Sequence, residues 1–216
     1  MKKIGNSIIN NANKDFQDFS KCDYRNHWSF SILFKNIMIC EALIGKEFIV
    51  EIGASNSIIP KMLKENFNYS PHVYKRFDID SSDCEYCDIT DYIPLNDGCA
   101  SAVVMSEVIE HVYTDIEKAM NEVYRILVPK GIFILTTPTP PDGELVWPDV
   151  HEYEFPLDKL KKIISNYFKI EIYRPWHNRI AKTSQFPFPS ALNKAVYALS
   201  YDIEKSTQIF MIARKL

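Results

Sequence analysis

Residues 48–53 read Phe-Ile-Val-Glu-Ile-Gly, a short β-branched run that stops at a glycine. Residues 56–66 then place Ile58, Ile59, Met62 and Leu63 at helical spacing. β-branched residues suit a buried pleated surface, and recurrence every three or four residues marks one face of a helix. The unit is therefore strand, tight turn, helix, and its order returns along the chain. Strands are predicted over 73–80, very briefly over 86–89, and over 99–106 and 132–137. The clearest helix is predicted over 114–128, where Ile116, Ala119, Met120, Val123, Ile126 and Leu127 make one apolar stripe. Thr114 or Asp115 caps its start and Pro129-Lys130-Gly131 ends it. A helix over 24–45, closed by Gly45, precedes the first strand. A helix over 157–167, a strand over 169–174, a helix over 190–200 and a strand over 207–213 follow. Strands alternating with helices predict an α/β doubly wound, mostly parallel sheet with helices on both faces.

One interval resists that pattern. Only five residues separate Asp80 from Tyr86, too few for the dozen or so of an ordinary parallel crossover. The third strand must be vestigial, or the chain must cross as a bare loop.

The glycines narrow the ligand. There are six, and no two lie within five residues of each other. A dinucleotide G-x-G-x-x-G cluster and a phosphate-binding P-loop are both excluded, which speaks against a nicotinamide oxidoreductase. The net charge of −3 makes nucleic acid an unlikely main partner. Five cysteines, an odd number, point to a reducing compartment. Cys84-x-x-Cys87 has no second pair to complete a zinc site, so no metal is expected. Without a signal-like or membrane-spanning apolar stretch, the expected location is cytoplasmic.

In open α/β sheets the ligand lies at the carboxyl ends of the strands. Those ends carry Glu51 to Ser57, Asp78 to Asp80, Asp88-Ile89, Ser106 to His111 and Thr137-Pro138. A loop amide and helix start can face a carboxylate. Asp78 can accept two ribose hydroxyls, and Asp88 beside Ile89 suits an exocyclic amine and a ring face. The set describes an adenosine with an amino-acid tail. No Lys or Arg lies in the first loop to neutralise phosphate.

These residues resemble the class I S-adenosylmethionine-dependent methyltransferases, in particular the small single-domain type with a Glu-His pair after the fourth strand. Five blocks match in order: Phe48 to Ser57, Phe77-Asp78-Ile79, Cys87-Asp88-Ile89 with Ile93-Pro94-Leu95, Ser106 to Val112, and Glu122 to Gly131. The resemblance covers roughly 46–173 and departs in two places. Ala54, Asn56 and Ser57 stand where the first motif usually carries more glycines, and the crossover helix after Asp78 is missing. It implies a Rossmann-like sheet of seven strands, the last antiparallel, and S-adenosylmethionine as cofactor, with S-adenosylhomocysteine as product. The cofactor-binding residues it implies are Glu51, Gly53, Ala54, Ser55, Asp78, Ile79, Asp88, Ile89, Ser106 and Glu107. It also implies methyl transfer to a small-molecule acceptor, such as a sugar hydroxyl or a biosynthetic intermediate. The alternatives are a non-catalytic binding protein of the same fold, or an enzyme acting on protein or nucleic acid.

One domain, 1–216, is expected: an arm and covering helix over 1–45, a cofactor half over 46–138 and an acceptor half over 139–216. His111 is either a general base or a structural group at the cofactor edge, and His151, in the loop after the fifth strand, is a base, an acceptor ligand or a loop residue with no part in the chemistry. The candidate acceptor residues are Tyr24, Trp28, Trp147, Tyr153, Trp176 and Arg179, with core packing or surface charge as the competing account of each.

Overall fold

The computed structural model describes residues 27–80, 82–140, 151, 153–176 and 208–216. Helix α1 is His27–Leu43, followed by β1 (Phe48–Ile52), α2 (Ile59–Asn66), β2 (Val73–Asp78), β3 (Glu85–Tyr86) and β4 (Ala100–Ser106). Two single 3-10 turns, Ile109–His111 and Tyr113–Asp115, lead into α3 (Ile116–Ile126). Then come β5 (Leu127–Pro138), α4 (Leu157–Ser165), β6 (Lys169–Trp176) and β7 (Gln208–Arg214).

The seven strands form one sheet in the order β3-β2-β1-β4-β5-β7-β6. β3, β2, β1, β4 and β5 run parallel, while β7 is antiparallel to both its neighbours. Alternation along each strand divides the core. Ile49, Ala102, Val104, Ile132 and Ile134 pack on one face with Leu43 of α1 and Ile59, Met62 and Leu63 of α2. Val50, Ile52, Val103, Met105, Phe133 and Leu135 pack on the other with Met120 and Val123 of α3 and Leu160 and Ile164 of α4. Residues one apart in a strand face opposite sides, so each strand feeds both cores.

Three local expectations change. The third strand keeps two residues, both exposed, and pairs in parallel with β2 across a bare loop. Both readings of the short interval therefore hold together. Helix α3 stops at Ile126, and Leu127 already pairs with Ala100, before a register shift carries the ladder on to Ala102 and Ile132. Lys130 absorbs that irregularity at φ +64°. Asp115 makes no side-chain cap and instead pairs with Lys118 at 2.8 Å, because the preceding 3-10 turn supplies the entry to the helix.

A second sequence block acts as a brace. Arg125 of α3 donates to Leu95 O (2.7 Å), Ile93 O (2.8 Å), Asp97 Oδ1 (2.7 Å) and both oxygens of Glu122. Glu122 in turn accepts from the Ile93 amide at 2.8 Å. The fork of a guanidinium suits this divergent set of acceptors, and it fastens the 93–97 loop to α3.

Candidate functional site

The strand order reverses beside β1: β2 and β3 lie on one side of it and β4 on the other. Loops diverging from a reversal leave a crevice at the carboxyl ends of the strands. Register places Ile52 level with Phe77 and with Met105, so Gly53, Asp78 and Ser106 are neighbours at that crevice.

Gly53 has φ +69°, a left-handed conformation that favours glycine. A Cβ there would stand 2.2 Å from Val108 Cγ2, so the close approach that demands glycine is to a protein side chain. The first loop is heavily self-bonded. The Ala54 amide donates to Phe77 O, the Ser57 amide to Ala54 O and the Ser55 amide to Asp78 Oδ2, each at 3.0 Å. Three of the amides expected to face a ligand carboxylate are thus committed within the protein.

Asp78 also accepts from the Asp80 amide through Oδ1 at 2.8 Å. Each Asp78 oxygen carries one backbone donor and keeps acceptor capacity for another. Ile79 beside it is 40% exposed, an apolar face at the mouth of the crevice. Asp88 accepts from both the amide (2.9 Å) and the hydroxyl (2.7 Å) of Thr90, which shapes the turn, and Ile89 lies in the core at 5% exposure. Glu51 is buried on the α1/α2 side and accepts from Tyr74 Oη at 2.8 Å. Burial raises its pKa, opposed by the bonds from Ser57 and Tyr74.

The end of β4 is the other wall. Glu107 has φ +59°, uncommon for a residue with a side chain, and its amide donates to Thr136 O at 2.9 Å. Thr136 donates its hydroxyl to Glu107 Oε1 (2.8 Å), so Ser106 supplies the proton in the 2.9 Å Ser106–Thr136 contact. Lys35 of α1 reaches Glu107 at 3.6 Å.

Below this wall the two expected histidines meet. The rings of His111 and His151 stand edge to face with centroids 5.2 Å apart. The Tyr153 amide donates to Glu110 O (3.2 Å), Thr139 donates to Phe155 O (2.9 Å), and the rings of Tyr113 and Tyr153 stack at 4.1 Å. These contacts fold the segment after β5 back against the turn after β4. Tyr153, expected to face an acceptor, spends one face on Tyr113 and its hydroxyl on Lys159 at 2.9 Å.

Two carboxylates complete this corner, and neither was assigned a role from sequence. Glu154 is buried and meets His151 Nδ1 at 2.6 Å. Glu110 is fully buried and accepts from Thr137 Oγ1 at 2.9 Å through Oε2. Its Oε1 has no hydrogen-bond partner and lies 3.9 Å from His151 Nε2. Burial, and then the charge of Glu107, push the Glu110 carboxyl well above its usual range. Glu110 stood inside the Ser106–Val112 block, but only the fold brings residue 151 to it. The spacing of Glu154 three residues after His151 was the other available signal.

Tyr24, Trp147 and Arg179 lie outside the described residues, as do the side chains of Trp28 and Trp176. Neither Cys84 nor Cys87 is in a disulfide, and burial followed by the charge of Asp88 raises the Cys87 thiol to about 11. Among the described residues no helix is long and apolar enough to cross a membrane.

Residues 51–135 match a family model described as a methyltransferase domain. Over 124 residues the chain is 30% identical to a demethylmenaquinone methyltransferase of Thermus thermophilus, a match covering 56% of this chain. The chain spans about half the length of that curated relative, 53%. Among solved structures it resembles a SAM-dependent methyltransferase from Archaeoglobus fulgidus, with TM-score 0.56 and 16% identity, over 86% of this chain and 100% of that one. It also resembles geranyl diphosphate C-methyltransferase from Streptomyces coelicolor, solved with S-adenosyl-L-homocysteine, with TM-score 0.57 and 14% identity, over 83% and 77% of the two chains. At these identities the structural likenesses establish the fold.

Proposed function

We propose that this chain, whose residues 51–135 match a methyltransferase-domain model, is a class I S-adenosylmethionine-dependent methyltransferase that transfers the methyl group of S-adenosylmethionine to a small-molecule acceptor, a sugar hydroxyl or a biosynthetic intermediate. The observation that carries the reading is the meeting of Gly53, Asp78 and Ser106 at the reversal of strand order.

The residues present fit the cofactor. Asp78 keeps one acceptor position on each oxygen for the ribose hydroxyls. Ile79 offers an apolar face to the base. The buried carboxylate of Glu51 is a counter-charge for the ammonium of an amino-acid tail. Ala54 and Ser55 shape the loop more than they bind, since their amides are spent on Phe77 and Asp78. Asp88 and Ile89 form the turn beneath the base, with Asp88 Oδ1 accepting from Thr90. Ser106 and Glu107 set the floor, and Lys35 balances the charge of Glu107.

When bound, the sulfonium supplies an electrophilic methyl carbon. The protein then has to place an acceptor in line and exclude water. His111 and His151 stand on the side where the loop after β5 returns to the sheet, which makes that corner the acceptor side.

Calorimetry with S-adenosylmethionine and with S-adenosylhomocysteine tests the reading. Asp78→Ala is expected to weaken binding about 10- to 100-fold, the worth of hydrogen bonds to a charged group. No binding at millimolar ligand, or equal affinity in Asp78→Ala, overturns it.

A further inference from the structure

Glu110, His111 and His151 each offer one ligand atom, and those atoms lie within 4.8 Å of one another. Their chain separation is large for His151, so the grouping is a product of the fold. We propose that these three residues bind a divalent transition-metal ion, of the Zn2+, Co2+ or Mn2+ class, whose open positions hold the oxygen of the methyl acceptor.

Three observations support the site. The first is the orphaned oxygen. Glu110 is fully buried, and its Oε1 has no hydrogen-bond partner although Oε2 is satisfied by Thr137. A buried carboxylate oxygen left without a donor is costly, and a cation in the corner removes that cost. The second is the direction of His151. Its Nδ1 faces Glu154 Oε1 at 2.6 Å, which fixes Nδ1 as the protonated nitrogen. Nε2 then presents a lone pair toward Glu110 Oε1 at 3.9 Å. Two acceptors facing each other across that gap call for a positive centre between them, which a metal ion supplies as a proton on either group otherwise would. The third is the support behind the ligand. A histidine ligand whose other nitrogen donates to a carboxylate is the usual arrangement at metal sites, because it fixes the tautomer and raises basicity.

The donor set selects the ion. Two imidazoles and one carboxylate favour borderline metals over magnesium or calcium, which prefer oxygen shells. With metal–ligand bonds of about 2.0–2.1 Å, neighbouring ligand atoms in such a shell stand roughly 3 Å apart. The 3.9 Å separation closes to that by small side-chain rotations. His111 and His151 are half-buried, so the ion retains access on the side away from Glu110.

The role of the ion rests on the methyl-transfer reading. A hydroxyl bound to it is acidified, and its proton leaves to solvent. The oxygen forms a bond to the methyl carbon as the carbon–sulfur bond breaks. The electron pair returns to sulfur, giving the neutral thioether. No oxidant or reductant is involved.

The test uses the full chain, stripped with chelator and titrated with Co2+ alone. Saturable visible absorption at one equivalent, displaced by Zn2+, is expected. His151→Asn and Glu110→Gln should each abolish it, and Glu154→Gln should weaken it about 10- to 100-fold. His72→Asn, at an exposed site, should leave it intact. Circular dichroism and S-adenosylmethionine calorimetry on each variant separate loss of metal from loss of fold. A wild-type chain that binds S-adenosylmethionine but no Co2+ overturns the ion site and leaves the methyl-transfer reading standing. Co2+ binding without S-adenosylmethionine binding supports the ion site and overturns methyl transfer. Undiminished Co2+ binding in His151→Asn overturns this assignment of ligands.

Discussion

Gly53 shows how one residue is constrained from two directions. Its φ of +69° disfavours any side chain, and a Cβ would collide with Val108 Cγ2 at 2.2 Å. Left-handed backbone costs roughly 1–2 kcal/mol and overpacking about 1–3 kcal/mol, so Gly53→Ala should lose about 2–5 kcal/mol in urea denaturation. Val108→Ala in the same chain should recover part of that loss and leave the backbone share, a coupling that a double-mutant cycle reads directly. Sequence spacing marked Gly53 as the place where a ligand nears the backbone. Its first neighbour is in fact Val108, 55 positions on, which no local pattern announces. The same holds for the two histidines: each was legible as a candidate, while the carboxylates that face His151 became visible only once the turn after β4 met the segment after β5.

Elements were more legible than side-chain roles, because burial writes its period into the sequence. The apolar runs of β1, β4 and β5 and the stripe in α3 predict those elements within a few residues of where they stand. The departures occur where a tertiary bond replaces a local signal, as at Leu127, which pairs with Ala100 instead of closing a helix. The brace between α3 and the 93–97 loop gives a pH prediction. Hydrogen bonds from Arg125 hold the Glu122 carboxyl below its ordinary range, outweighing the opposing effect of burial. A depressed folded-state pKa contributes stability that is present above the unfolded value, near ~4.3 for Glu, and is lost as pH falls through the folded value. Melting temperature should therefore drop on acidification below about pH 4. Glu122→Gln should start lower at neutral pH and show a shallower acid decline.

At the scale of the molecule, the sheet sorts itself by exposure. β1, β4 and β5 are buried on both faces, whereas β3 is two exposed residues at one edge. Hydrogen exchange should be slowest over 49–52, 102–105 and 132–135 and fastest around 85–86, measured by mass spectrometry on the native chain. Uniform protection across the sheet would contradict this order. The sequence by itself determined the class of fold, the parallel core, the absence of a phosphate-cradling loop and the acids at the strand ends. All of these depend on contacts within a few residues or on a repeating period. Only the tertiary structure decided what those residues touch. It decided that the first loop's amides are spent on β2, that β7 lies between β5 and β6, and that Glu110, His111, His151 and Glu154 share one corner. The physical reason is that a side chain's hydrogen-bond partner and charge environment are set by distance in space, and the sheet brings together residues far apart along the chain.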